Sequence, residues 1–338
     1  MKMLKRDVNV ALHNLLGLCM PLALSSGIWT AENALAAPQP NAMSHAVVQL
    51  QGLEVPIPHV KGTATVPLKL LEKSQVYTTP VMVGKLTKPF LIDTGASTTL
   101  LSADLVTTLK LPGRAVPGDR LASAVAGKEC ASMKATLHEL PLLTLGSVEI
   151  RGVNGLRFEA AAVPDGLAGV MGMDILQQFD LSFKPKAKTL NFAPPSILPT
   201  AASAAAIPLQ KKLGVFLAKL TLNGQGPFTV LLDTGADSTF ISGAIAQRLN
   251  LSNRQPAQIL GFCGLEPAEK SLLASVKLRQ YEQKNLEAIV VSSPILKLLG
   301  VDGILGQNFL SHYQQQWRFT PSIINGMKVD GSLLLSSP

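Results

Sequence analysis

Only three cysteines and five histidines occur in 338 residues, and just 15% of the chain is charged. Cys19, Cys130 and Cys263 are not spaced as metal ligands, and the scattered histidines form no metal cluster. No metal or other cofactor is therefore expected. Aromatic residues are 5% of the chain, and no Lys/Arg cluster is interleaved with them. Nucleic-acid binding has no footprint here, and the net charge of +8 reads as surplus surface lysine. The N-terminal apolar run is broken by His13 and Asn14, which argues against a stable membrane span. No glycine-rich loop suited to cradling a phosphate is present. What the chain has in quantity is apolar residues, 47%, with 23 prolines and 27 glycines. That composition excludes disorder and favours many short strands and turns over long helices.

The N-terminus has the form of an export signal. Lys2, Lys5 and Arg6 precede the run "VALHNLLGLCMPLALSSGIW", and Ala34-Leu35-Ala36 has the small-x-small form of a cleavage site. Residues 1–36 are read as a signal peptide, which places the mature chain in a bacterial periplasm. An uncleaved signal would instead tether it to the membrane. Cys19 leaves with the signal, whereas Cys130 and Cys263 remain where a disulfide is permitted.

The chain repeats itself. "FLIDTGAST" at 90–98 returns as "TVLLDTGADST" at 229–239, with Asp93 and Asp233 140 residues apart. Each copy begins as a strand–turn–strand pattern, with "VGKLTKP" and "NGQGP" as turns. Each DTG precedes a segment of helical apolar spacing, "SADLVTTLKL" and "SGAIAQRLNL". Each copy closes alike, with "GVMGMDILQQFDLSF" at 169–183 and "GILGQNFLSHYQQQW" at 303–317. Between these marks each copy holds a glycine-containing hairpin candidate, "SAVAGKEC" at 123–130 and "ILGFCGLE" at 259–266. The expected organisation is 37–65 as an edge strand or pro-segment, 66–192 as a first lobe, 193–206 as a Pro/Ala linker and 207–338 as a second lobe.

One carboxylate repeats per copy, while no Ser-His-Asp or Cys-His arrangement does. If the copies pack about a pseudo-two-fold axis, Asp93 and Asp233 meet on it. Two carboxyls at about 3 Å cannot both ionise easily, so they share a proton and one serves as base, the other as acid. A water between them could then hydrolyse an amide without a covalent intermediate. Thr94 and Thr234 are placed to tie the loops across the axis. Gly95 and Gly235 allow close backbone approach, and Ala96 and Ala236 complete the loops. Gly172 and Gly306 are expected to pack behind them. Asp174 and Asn308 are expected as helix caps.

The two "DTGA" sequences at 93–96 and 233–236, with "VMGMD" and "ILGQN", resemble the retropepsin-like (retroviral-type) aspartic proteases. The likeness spans roughly residues 66–192 and 207–320. It implies an all-β fold of two homologous closed-barrel lobes, each with a short helix, and a cleft covered by flap hairpins. Gly127 and Gly261 are the flap candidates, and Cys130 and Cys263 within those flaps are a possible disulfide pair. Viral members are homodimers, but here both half-sites lie in cis, which implies an active monomer cutting peptide or polypeptide substrates. Two departures stand out. Met173 and Gln307 occupy the positions where retroviral enzymes commonly carry Arg, and Ser97 replaces in the first copy the acid present as Asp237 in the second. A non-catalytic peptide-binding or scaffold protein that kept the fold is the alternative class.

Overall fold

The computed structural model describes residues 41–42, 46–50, 55–125, 134–159, 163–261 and 264–337. The signal segment, Gly127, Cys130 and Cys263 lie outside these residues. No helix among the described residues is long and apolar enough to cross a membrane.

The chain is mostly β, in two β-rich lobes built on one plan. In the first lobe, Tyr77–Val83 and Leu86–Ile92 form an antiparallel hairpin. Gly84 turns it at φ 61°, a left-handed conformation that suits glycine. The second strand is partly exposed at its start and fully buried at Phe90, Leu91 and Ile92. The burial has a local cause. Gly169–Met171 runs parallel beside those three residues and antiparallel to Leu100–Leu101. Strands covered on both faces read as continuous apolar runs, which is why "FLI" ends so abruptly at Asp93. The second lobe repeats this with Val215–Leu222, Gln225–Leu232 and Gly303–Leu305, the last parallel to Val230–Leu232 and antiparallel to Phe240–Ile241. After each DTG a short helix starts, Ala103–Thr108 and Gly243–Arg248. Ser102 and Ser242 cap them by accepting from the Leu105 and Ile245 amides at 3.1 and 3.3 Å.

The lobes are joined through a shared sheet. Its order is Ala64–Pro67, Thr189–Ala193, Asp180–Lys184, Gln314–Arg318, Gly331–Ser336 and Ile207–Lys212, three strands from each side of the repeat. The seam pairs Leu181 with Trp317 and Phe183 with Gln315. Trp317, Phe183, Phe179 and Phe192 are buried beneath it, with Phe179 edge-on to Phe192 at 5.2 Å. Arg318 reaches Asp180 across the seam at 3.5 Å.

The hairpins that follow the DTG segments differ. In the second lobe Gln255–Gly261 pairs with Gly264–Lys270 through seven consecutive residues, closing at Gly261 opposite Gly264. In the first lobe Gly113–Val116 pairs with the strand Ala135–Glu139, but Pro117 and a 3-10 turn at Gly118–Arg120 then divert the chain. The following strand, Leu121–Val125, pairs with Ala46–Leu50 instead. Residues ahead of the first lobe thus supply strands. His59–Lys61 also forms the edge of the first lobe's sheet against Glu149–Arg151. The linker region carries a short 3-10 turn at Thr200–Ala202.

Candidate active site at the lobe interface

Asp93 and Asp233 end equivalent strands, and their amides donate to the carbonyls of Met171 and Leu305 at 3.2 and 3.0 Å. These bonds fix each acid one residue beyond the parallel pairing. Each carboxylate is then held by its own loop. Asp93 Oδ1 accepts from the amides of Gly95 at 2.7 Å and Ala96 at 3.0 Å, and Asp233 Oδ1 accepts from Gly235 at 2.7 Å.

The loops meet. Thr94 Oγ1 donates to the Leu232 carbonyl at 2.9 Å and accepts from the Thr234 amide at 3.0 Å. Thr234 Oγ1 donates to the Ile92 carbonyl at 2.8 Å and accepts from the Thr94 amide at 3.1 Å. These four reciprocal bonds are the pseudo-two-fold axis in chemical form. A methyl group on Gly95 would overlap the Asp233 carboxylate, and one on Gly235 would overlap that of Asp93. Each glycine is required by the acid of the opposite lobe.

Both carboxylates are completely buried. Burial pushes the Asp93 carboxyl well above its ordinary range, and the neighbouring charge and hydrogen bond of Asp233 push it further. The Gly95 and Ala96 amides pull in the opposite direction and lose. A buried carboxyl facing a second carboxyl keeps a proton between them, so the pair offers one acid and one base.

Gly172 and Gly306 sit behind the loops. A side chain on Gly172 would come to 2.5 Å from the Thr98 carbonyl group, and one on Gly306 would overlap the Ser238 carbonyl. The amides of Met173 and Gln307 donate to the Ala96 and Ala236 carbonyls, both at 2.8 Å. Asp174 and Asn308 are not the caps that sequence reasoning expected. The capping positions are Gly172 and Gly306, without a side-chain bond. Asp174 and Asn308 instead accept from the hydroxyls of Thr99 at 2.8 Å and Thr239 at 2.7 Å, which pin the far end of each loop.

Sequence reasoning noted Gln307 only as a departure and gave it no role. Its side chain is fully buried, and Nε2 donates to the Thr234 carbonyl at 3.1 Å. Met173, its counterpart, is buried and apolar. A buried glutamine needs partners, so a polar residue within an apolar closing motif was the available signal. Gly261 ends a hairpin strand, as described above. Gly127 and the two cysteines lie outside the described residues.

Residues 79–175 match the aspartyl protease family, and residues 218–312 match the family described as "gag-polyprotein putative aspartyl protease". Each match covers one DTG and lies in one copy of the repeat. The chain thus belongs with the retropepsin-like aspartyl proteases, as two such domains in tandem. No curated protein matches it.

Proposed function

We propose that this chain is an aspartic endopeptidase that uses Asp93 and Asp233 as one catalytic pair. The observation that supports this most is the reciprocal burial of two carboxylates, each seated against the other lobe's glycine. A water held between them gives a proton to the ionised carboxylate as its oxygen attacks the scissile carbonyl carbon. The protonated carboxyl gives its proton to the carbonyl oxygen, yielding a neutral tetrahedral diol. The second half reverses the roles. A proton passes to the amide nitrogen, the C–N bond breaks, and the diol becomes the new carboxyl. The carboxylates are general acid and base throughout, and no bond forms between protein and substrate.

Both half-sites come from one chain, so we infer activity as a monomer on extended polypeptides. The basic start and the Ala34-Leu35-Ala36 segment support export to a periplasm, where exported polypeptides would be the substrates. Incubation of the purified chain with a peptide library across pH 3–8, with and without a pepstatin-type inhibitor, tests the reading. Inhibitor-sensitive cleavage, lost in a folded Asp93→Asn variant, is expected. Intact peptides at every pH, with the folded chain still binding them, would make it a peptide-binding module instead. The N-terminal sequence of the protein from a periplasmic fraction should begin at Ala37 if the signal is removed.

The pH dependence should differ from that of sites with a hydroxyl after DTG. Ala96 and Ala236 present none, and Asp93 is already raised by burial and by Asp233. The singly protonated pair should therefore persist to higher pH than in sites that carry such a hydroxyl, which moves the alkaline limb of the pH–rate profile upward. An optimum near pH 2–3 would show that other groups set the pair's titration.

A further inference from the structure

We propose that a cavity in the second lobe, where the strand Ile207–Lys212 passes from one sheet to another, is a binding site for a single-chain aliphatic carboxylate. None of its lining residues belongs to a DTG loop. The site therefore stands whether or not the dyad cuts peptides.

The cavity follows from the path of that strand. Gln210, Lys211 and Lys212 pair with Leu217, Phe216 and Val215, whereas Ile207, Pro208 and Leu209 pair with Leu333, Ser332 and Gly331 of the shared sheet. A strand that changes sheets turns a corner, and the two sheets part beside it. On the strand Val215–Leu222, the neighbour beyond Leu217 joins only at Thr221 and Leu222, which pair with Lys277 and Val276. Among the described residues, Ala218–Leu220 therefore have no strand along that edge. The outer wall comes from the antiparallel pair Ser322–Ile324 and Met327–Val329, whose second strand lines the gap. The volume is about 310 Å³, at the small end of the roughly 300–1,000 Å³ of ligand pockets.

The lining defines the ligand. Ile207, Leu209 and Leu217 are buried and apolar, while Met327 is 58% exposed, an unbranched side chain that can move aside for an entering chain. No lining residue is aromatic, so the walls suit a flexible aliphatic chain and offer a planar ring nothing to stack on. Lys219, Arg279 and Lys328 share this lining with one acid, Asp330. Asp330 already accepts from the Lys211 amide at 2.8 Å. Arg279 donates to the carbonyls of Ala206 and, at 2.8 Å, of Ala204, which orient its guanidinium and leave its charge uncompensated. Among the described residues no acid forms an ion pair with Lys219, Arg279 or Lys328. Both lysines are exposed, so their stems can lie along the apolar walls with the charged heads in water at the mouth. A plain hydrocarbon would leave these cations unused, and a bare inorganic anion would leave the apolar walls wet. A carboxylate on an aliphatic chain satisfies both, with its head among the cations and its tail between the parted sheets.

The test is calorimetric titration of the full-length chain with hexanoate, octanoate and decanoate, each below its micelle concentration. Affinity should rise by about fourfold per added methylene until the cavity is full. Decanol, with the same tail and no charge, should bind at least about tenfold more weakly than decanoate. Thr229 lines the cavity opposite Lys219 in the strand pair. Thr229→Phe fills the space and should weaken decanoate at least about tenfold. The double change Lys219→Gln, Lys328→Gln should weaken decanoate and leave decanol unchanged. No binding of any of the three carboxylates, affinity independent of chain length, or unchanged affinity in a folded Thr229→Phe chain would overturn the site. If Thr229→Phe fails to fold, the exposed lysine pair still reads it, and decanoate affinity unchanged in that variant would overturn the proposal. Vesicles of phosphatidylglycerol separate the free amphiphile from a membrane surface. Capture by vesicles, lost in the lysine variant, with no binding of decanoate would overturn the cavity in favour of surface attraction.

Discussion

The two DTG loops and the two hairpins that follow them come from the same repeat, yet one pair has stayed alike and the other has not. The loops agree in residue identity from Asp to Ala and in every cross-axis bond of Thr94 and Thr234. Among the described residues the hairpins differ in partner and in path, with Pro117 and the turn Gly118–Arg120 diverting only the first. Physical contact explains the contrast. Each loop is the wall of the other's site, because Gly95 lies against Asp233 and Gly235 against Asp93. A change in one loop is felt at once in its twin. The hairpin arms instead face the chain ahead of the first lobe, and nothing in the pairings forces them to match.

The sharpest way to break the symmetry of the loops is to neutralise one acid. On the proposed mechanism Asp93→Asn and Asp233→Asn should each lower peptide cleavage by at least about 10²–10⁴-fold, and the double variant should be no worse than either single one, as expected of two groups that work as a unit. Both variants should fold, because each removes one charge from a buried like-charged pair. Steady-state rates on a common peptide measure this. A folded single variant that keeps near-parental rates would show that the two acids are not one site.

The cross-axis threonines give a smaller effect that is read in stability. Thr94→Val leaves the Leu232 carbonyl and the Thr234 amide without their buried partner, and Thr234→Val does the same to Ile92 and Thr94. Each should cost roughly 2–4 kcal/mol, from two buried groups left unsatisfied. The two costs should be equal within error. The double variant should cost less than their sum, because each single change disturbs a bonding set that both share. Denaturant midpoints at constant slope check this. Markedly unequal costs would show that one loop is held by its own lobe and not by its twin.

The loops were legible in the sequence because their causes are local. A strand covered on both faces must be apolar to its last residue, and an acid at its end with small residues after it marks a tight turn. The seam between the lobes was not legible for the opposite reason. "QQQWR" looks like a solvated strand, yet Gln315 is fully buried, donating to the Leu310 carbonyl at 3.0 Å and accepting from the Trp317 indole at 3.0 Å. Its burial is tolerable only with those partners, and a sequence does not display them. The pairing of Ala46–Leu50 with Leu121–Val125 was hidden in the same way, since the two strands are far apart in the chain and uncharged strands of this kind fit many edges. The misreading of Asp174 and Asn308 as caps had a different origin. The capping position falls on a glycine that close packing requires, and the polar residue two places later turns to a threonine hydroxyl instead.

That last pair of positions is where the lobes differ by a single atom type, and it yields the mildest prediction. Asp174 and Asn308 accept from equivalent threonines, but only Asp174 can carry charge. Burial raises its carboxyl from 3.8 to about 6, against the opposing pull of the bonds from Thr99. A carboxyl whose folded value lies above its unfolded value binds its proton more tightly when folded. Its contribution is therefore most favourable below about pH 4, declines as pH rises from about 4 to 6, and stays lost above that. The loss is on the order of 1–3 kcal/mol, reduced by the partial solvent contact of the side chain. Asp174→Asn keeps the oxygen that Thr99 donates to and makes the first lobe match the second. It should raise stability at pH 7–8 by that amount and leave it nearly unchanged at pH 4. The reverse change, Asn308→Asp, also removes the donor that Asn308 Nδ2 gives the Glu287 carbonyl at 2.8 Å, so it should create a larger pH-dependent loss in the second lobe. Unfolding midpoints of the three proteins across pH 4–8 test the pair, and a parallel shift at all pH values would show that Asp174 is not the titrating group.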